Sequence, residues 1–114
     1  MAGRGLLVTP DEIRAIILGL TREQARGPQA HEEAELLAER AEGDYEAAYD
    51  QAFLNAEGNI EERKAQARLV THELRDAASV ARAAHGRVKL KVKQLDSSLM
   101  AHMAVLKSVM AEGA

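Results

Sequence analysis

The sequence predicts an all-α fold, and three observations support this prediction. The chain of 114 residues is 46% hydrophobic but only 3% aromatic, so its apolar side chains are mainly Ala, Leu, Val, Ile and Met, a composition typical of helices. Apolar residues recur at a period of about 3.6. Capping residues and glycines divide the chain into three segments. We therefore expect one helical domain over residues 9–114: a short N-terminal helix and a long alanine-rich antiparallel hairpin that is similar to a coiled coil.

The composition also bears on cellular location. The chain has no cysteine, which excludes a disulfide framework and a thiolate nucleophile. The apolar run from Leu6 to Val8 is too short for a signal peptide or a membrane span. We predict a cytoplasmic protein that does not enter a membrane, with a disordered segment at residues 1–8.

The first helix is predicted over residues 10–25. Thr9 and Glu12 have the spacing of a capping box, and Pro10 suits the first helical position. A left-handed Gly27 followed by Pro28 is expected to end the helix. Its apolar face has the spacing i, i+3, i+4, i+7 and consists of Ile13, Ile16, Ile17 and Leu20.

The second helix is predicted over residues 29–57. It carries nine carboxylates against Arg40, a net charge of −8 in a chain of net charge −3. Its apolar seam repeats at alternating spacings of four and three residues, as in a coiled coil. The seam residues are Ala34, Ala38, Ala41, Tyr45, Ala48 and Ala52.

A glycine stop at Gly58 and an Asn59 cap predict a sharp turn into a third helix over residues 60–112. This last segment is basic, with ten basic and six acidic side chains after residue 57. Its apolar stripe averages about 3.6 residues a step. The stripe consists of Ala67, Val70, Leu74, Ala77, Ala81, Ala84, Val88, Val92, Leu95, Leu99, Met103, Leu106 and Met110.

The stretch HGRVKLKVKQLD, residues 85–96, alternates basic and apolar residues as a strand would. A strand here would have no second strand to pair with, whereas Val88 and Val92 continue the helical stripe. We therefore predict helix. Gly86 costs about 1 kcal/mol relative to Ala in a helix interior, so the sequence leaves open a break at that position.

The predicted turn sets the register of the hairpin, with Tyr45 opposite Leu74. In this register the second helix covers the third only as far as about His85. The first helix, about 24 Å long, is too short to cover the remaining stripe. We therefore predict self-association, with a dimer favoured and another protein as the alternative partner. The predicted contact residues are Val88, Val92, Leu95, Leu99, Met103, Leu106 and Met110.

Histidines and carboxylates give little support for chemistry. The hairpin register brings His31 near His85, beside Glu32 and Glu35, a donor set that suits a divalent metal. Ordinary histidines on the flank of a hairpin are the favoured interpretation, so we expect no metal site, no cofactor and no catalytic residue. No catalytic motif surrounds the serines or glutamates, and we predict a protein that is not an enzyme.

A basic stripe along the third helix supports an alternative function. Arg68, Arg75, Arg82 and Lys89 recur every seven residues, and such a stripe could follow a phosphate backbone. The favoured interpretation is that they face the acidic helix. The residues that would bind nucleic acid are Arg68, Arg75, Arg82, Lys89, Lys91 and Lys93.

Residues 35–110 resemble small helical proteins encoded by bacteriophages, often among early or DNA-metabolism genes. The matching features are Glu57-Gly58, the run Glu61-Glu62-Arg63-Lys64-Ala65, and the aromatic residues Tyr45, Tyr49 and Phe53. The resemblance implies a helical hairpin and an accessory role in an infected bacterial cytoplasm.

The predicted function is that of a non-enzymatic interaction or adaptor protein, a phage accessory factor that self-associates or binds a phage or host protein. One form of this function is to block a host protein by inserting the Leu/Met-rich helix into a groove. The alternative is a nucleic-acid-binding accessory factor in phage DNA metabolism.

Overall fold

Three α-helices account for nearly all of residues 9–113, the part of the chain that the computed structural model describes. They are α1 (Pro10–Ala25), α2 (Gly27–Asn55) and α3 (Ile60–Gly113), and this part of the chain contains no strand. The all-α prediction is confirmed. Helix α3 continues through Gly86 and the alternating stretch at 87–93 without a break. The disorder predicted for residues 1–8 lies outside the described residues.

The start of α1 is fixed by the predicted capping box. The Glu12 backbone N–H donates to Thr9 Oγ1 over 3.1 Å, and the Thr9 N–H donates to Glu12 Oε2 over 3.4 Å. Two backbone donors that no helical carbonyl can reach are thereby satisfied. Pro10, which has no N–H, occupies the first helical position at no cost.

The junction between α1 and α2 differs from the prediction, because Gly27 is not left-handed. Arg26 ends α1 in a right-handed conformation, with φ −85° and ψ −14°, and Gly27 begins α2. Pro28 then occupies the first turn of α2, where its missing N–H is not needed. Gly27 is buried, and a Cβ there would lie 3.2 Å from Val92 Cγ2. Glycine is required by this close approach rather than by its backbone conformation.

The turn between α2 and α3 follows the prediction. Gly58 is left-handed, with φ +110°, and the Asn59 side chain caps α3 by accepting from the Glu62 N–H over 2.9 Å. Arg63 donates to the Ala56 carbonyl over 3.0 Å, and its guanidinium lies 5.5 Å from the centre of the Phe53 ring. These contacts satisfy the end of α2 and fix where α3 begins.

Residues Gln29–Val88 form one compact unit, a hairpin of α2 and the first half of α3. His31 contacts His85 near one end, and Phe53 lies beside Arg63 at the other, so the two helices are antiparallel in the predicted register. The predicted α2 seam is buried or half-buried at every position. Alanines at this seam allow the helix backbones to approach closely.

The predicted α3 stripe is partly wrong. Val70 is 75% exposed and Ala77 is also exposed, whereas Thr71 and Ala78 are buried. The seam of α3 keeps the same alternation of four and three residues as α2, so Val70 and Ala77 lie one position outside it. The Thr71 hydroxyl donates to the Ala67 carbonyl over 2.6 Å, which satisfies it inside the seam.

The described residues up to Pro28 form a second compact unit with those from Lys89 onward. Helix α1 runs antiparallel to α3 here, because Gln24 donates to Asp96 over 2.6 Å and Arg14 donates to the sulfur of Met110 over 3.4 Å. Ile13 is only 2% exposed and is the largest buried side chain of the unit among the described residues.

The contact between His31 and His85 agrees with the prediction that α2 covers α3 only as far as about His85. Helix α1 covers more of the remaining stripe than predicted, since Arg14 reaches Met110. The alternating spacing of four and three residues continues to the C-terminal end of α3, so the buried positions there differ from the predicted stripe. His102 and Val109 are half-buried, while Met103 is 54% and Met110 47% exposed. His102 Nδ1 lies 2.7 Å from the Ser98 carbonyl oxygen, a hydrogen bond along its own helix.

Candidate functional site

Two histidines meet across the hairpin seam. His31, in the first turns of α2, and His85, in the middle of α3, are both half-buried. Their Nε2 atoms are 3.3 Å apart, and their rings pack edge to face with centroids 4.9 Å apart. The two residues are separated by 54 positions in the sequence. The register predicted for the hairpin from the position of its turn is the sequence signal that brings these two histidines together.

Glu35 completes a cluster of three potential metal ligands. It follows His31 by four residues and so lies on the same face of α2. Its Oε2 is 3.8 Å from His31 Nδ1, and one ligand atom from each of Glu35, His31 and His85 lies within 4.8 Å of the others. The His31 and Glu35 side chains are 35% and 48% exposed, so the cluster opens to solvent on one side.

The residues predicted to mediate association fall into two groups. Five are half-buried within the chain: Val88, Val92, Leu95, Leu99 and Leu106. Met103 and Met110 remain largely exposed, and the sequence interpretation missed two exposed neighbours, Met100 at 72% and Val105 at 48%. If the spacing of four and three residues is continued strictly through α3, these three methionines and Val105 all fall outside the seam.

The residues predicted to bind nucleic acid are all exposed, and one of them pairs with α2. Arg82 Nε lies 3.0 Å from Glu42 Oε1, as the charge-matched hairpin predicts. Within residues 9–113, Arg68 and Arg75 form no ion pair, although they recur at the same seven-residue interval. The remaining three, Lys89, Lys91 and Lys93, lie in the other compact unit and are also exposed.

Two surface depressions lie along α2. One, of about 390 Å³, is lined by Tyr45, Glu46, Tyr49 and Asp50. Another, of about 300 Å³, is lined by Glu33, Leu36, Leu37 and Arg40. Each is lined by neighbouring turns of a single helix, whereas active sites usually bring polar groups together from several elements.

No helix among the described residues is both long enough and apolar enough to cross a bilayer. Comparison with known proteins finds no matching family model and no significant match among curated proteins or solved structures. Function is therefore inferred from the chain's own residues.

Proposed function

We propose that this protein is a non-enzymatic helical interaction protein that self-associates, with a second copy packed against the C-terminal part of α3. The observation that carries the proposal is the distribution of apolar side chains. Within residues 9–113 the buried hydrophobic side chains are Ile13 and four alanines, whereas fifteen large hydrophobic side chains are exposed. The setting implied by the bacteriophage resemblance, an accessory factor in an infected cytoplasm, is part of the same proposal.

The alanine seam explains why association would be favourable. Hydrophobic burial contributes about 25 cal/mol per Å² of apolar surface, and an alanine side chain buries little surface. Two helices that pack face to face also leave their outer faces in contact with water. A second copy would cover side chains that the single chain exposes, and so add the large-residue burial that the seam lacks.

Residues 97–111 are the segment of α3 that best suits contact with a second copy. This segment contains a single Lys or Arg, Lys107, and no Asp or Glu, in a chain that is 29% charged. Interface cores are depleted in charged residues and enriched in methionine, whose flexible thioether adapts to a partner surface. In a symmetric dimer the same patch meets itself, so a patch with almost no charge avoids like-charge repulsion.

The test compares the mass of variants by size-exclusion chromatography with light scattering. Met100→Glu combined with Met103→Glu places two carboxylates on the exposed patch, at side chains that are 72% and 54% exposed, and leaves the contact between Arg14 and Met110 unchanged. We expect the unmodified protein to be dimeric and this variant to be monomeric. Leu69→Glu combined with Val80→Glu is the matched control, because these side chains are also exposed, at 76% and 66%, but lie in the other compact unit.

Far-UV circular dichroism establishes that each variant remains helical. A monomeric mass for the unmodified protein at high concentration would overturn the proposal. So would a dimer that survives the double methionine substitution but dissociates in the control, since the contact would then involve the hairpin unit.

Binding of nucleic acid is a second candidate function, favoured by the exposed and unpaired Arg68 and Arg75. A phosphate backbone would neutralise them, and the affinity would then fall steeply with salt. Fluorescence anisotropy with labelled single- and double-stranded DNA tests this candidate. Saturable binding that weakens with salt and with Arg68→Glu and Arg75→Glu would support it, and no binding at low salt would eliminate it.

A further inference from the structure

We infer that His31, Glu35 and His85 form a binding site for a divalent transition metal, and that zinc is the metal this donor set fits best. The site is independent of the proposed self-association, because all three residues lie within the hairpin unit of one chain.

The 3.3 Å separation of the His31 and His85 Nε2 atoms matches the edge of a zinc coordination tetrahedron. Zinc–nitrogen bonds of about 2.0–2.1 Å at a tetrahedral angle place two ligand nitrogens about 3.3–3.4 Å apart. Without a metal, the same distance fits a hydrogen bond from one Nε2–H to the other Nε2. For both Nε2 atoms to bind a metal, the donating ring would take its other neutral tautomer, with the proton on Nδ1.

Glu35 supplies the third ligand from the same helix as His31. Its Oε2 lies 3.8 Å from His31 Nδ1, and one ligand atom from each of the three residues lies within 4.8 Å of the others. The Glu35 side chain is about half exposed, which leaves it room to turn toward a metal bound by the two Nε2 atoms. The spacing of four residues keeps the carboxylate on the same side of α2 as His31. The resulting donor set is two nitrogens and one oxygen.

This donor set selects among metals. Imidazole nitrogen suits zinc, copper and nickel, whereas magnesium and calcium take oxygen ligands. Three protein ligands leave a fourth tetrahedral position, and the exposed side of the cluster admits a water molecule to fill it. The site would therefore be an open three-ligand site rather than a closed structural one.

A metal at this position would join α2 to α3 through ligands 54 positions apart in the sequence. Because both histidines occupy positions in the seam, the metal would bind the paired helices and not the separated ones. Binding to the folded state alone raises the stability of that state as the metal concentration increases. The metal would thus stabilise the end of the hairpin that is far from its turn. Packing of alanines in the seam is the other interaction that stabilises this end.

The experiment is isothermal titration of untagged protein with Zn²⁺, repeated on His31→Gln, His85→Gln and Glu35→Gln. We expect one Zn²⁺ per chain and a loss of affinity of more than about tenfold in each variant. His72→Gln is the matched control, since His72 is an exposed histidine of the same hairpin whose Nδ1 lies near the Leu69 carbonyl. This control should bind as the unmodified protein does.

Two further readouts keep the test decisive if a variant is less stable. Co²⁺ bound in a tetrahedral site absorbs visible light strongly, so the unmodified protein should show that band and His85→Gln should lose it. Zn²⁺ should raise the thermal midpoint of the unmodified protein and of His72→Gln, but not that of His31→Gln. Circular dichroism before metal addition shows that each variant is folded.

Equal Zn²⁺ affinity in the unmodified protein and in His85→Gln would overturn the inference. A ratio of one metal per two chains, together with a mass that doubles only when Zn²⁺ is added, would also overturn it, because the ligands would then come from two copies.

Discussion

Replacement of Ile13 with Ala tests the packing of α1 against the C-terminal part of α3. Ile13 is 2% exposed, so the substitution removes three buried carbon groups worth about 0.8 kcal/mol each and leaves a cavity. We expect a loss of about 3 kcal/mol in the free energy of unfolding. Ile16→Ala is the matched control: Ile16 lies on the same helix but is 44% exposed, so a loss of about 1 kcal/mol is expected.

The comparison isolates burial, because both substitutions exchange the same residues within one helix and change helix propensity equally. The assay is urea unfolding followed by far-UV circular dichroism, with all variants at one protein concentration, since association would couple to unfolding. The difference between the two variants should be about 2 kcal/mol. Equal losses within about 0.5 kcal/mol would show that Ile13 is not buried in solution and would refute the packing of α1.

Four further substitutions test the hairpin. Gly58→Ala should destabilise the protein by about 1–2 kcal/mol, because Gly58 has φ +110° and a new Cβ would lie 2.7 Å from Glu62 Oε2. Gly43→Ala should instead stabilise the protein by about 0.5–1 kcal/mol, because Gly43 is helical and a new Cβ there would meet nothing within 4 Å. Asn59→Ala should cost about 1 kcal/mol through loss of the α3 cap, and a change below about 0.3 kcal/mol in urea unfolding would contradict the capping hydrogen bond. Arg82→Ala should change stability by less than about 0.5 kcal/mol, because its ion pair is exposed; a loss above about 2 kcal/mol would contradict that assignment.

Local signals predicted the helix ends well. Thr9 with Glu12, and Gly58 with Asn59, act over three or four residues, so the sequence alone is sufficient to identify them. Gly27 was misassigned because its role depends on Val92, which is distant in the sequence and packs against its missing side chain. A local motif cannot distinguish a glycine needed for its conformation from one needed for its size.

The face of α3 that packs against α2 is not determined by the sequence of α3 alone. Hydrophobicity favoured Val70 over Thr71, and it could not distinguish Ala77 from Ala78, yet Thr71 and Ala78 are the buried residues. The partner helix decided the phase, since two long helices remain in contact only if both keep the same alternating spacing. The meeting of His31 and His85 was predictable because it depends on the turn position and not on that choice.

A pair of cysteines introduced at Ala38 and Ala78 tests the central claim, the pairing of α2 with α3 within one chain. Both alanines are buried, at 5% and 1% exposure, and the register set by His31 and His85 places them opposite each other. Since the natural chain has no cysteine, mild oxidation reports on the introduced pair alone. We predict a rapid disulfide within single chains, observed by non-reducing electrophoresis and mass spectrometry. Faster formation with Cys at 38 and 77 would contradict the register, and a disulfide that joins two chains would contradict the intrachain hairpin.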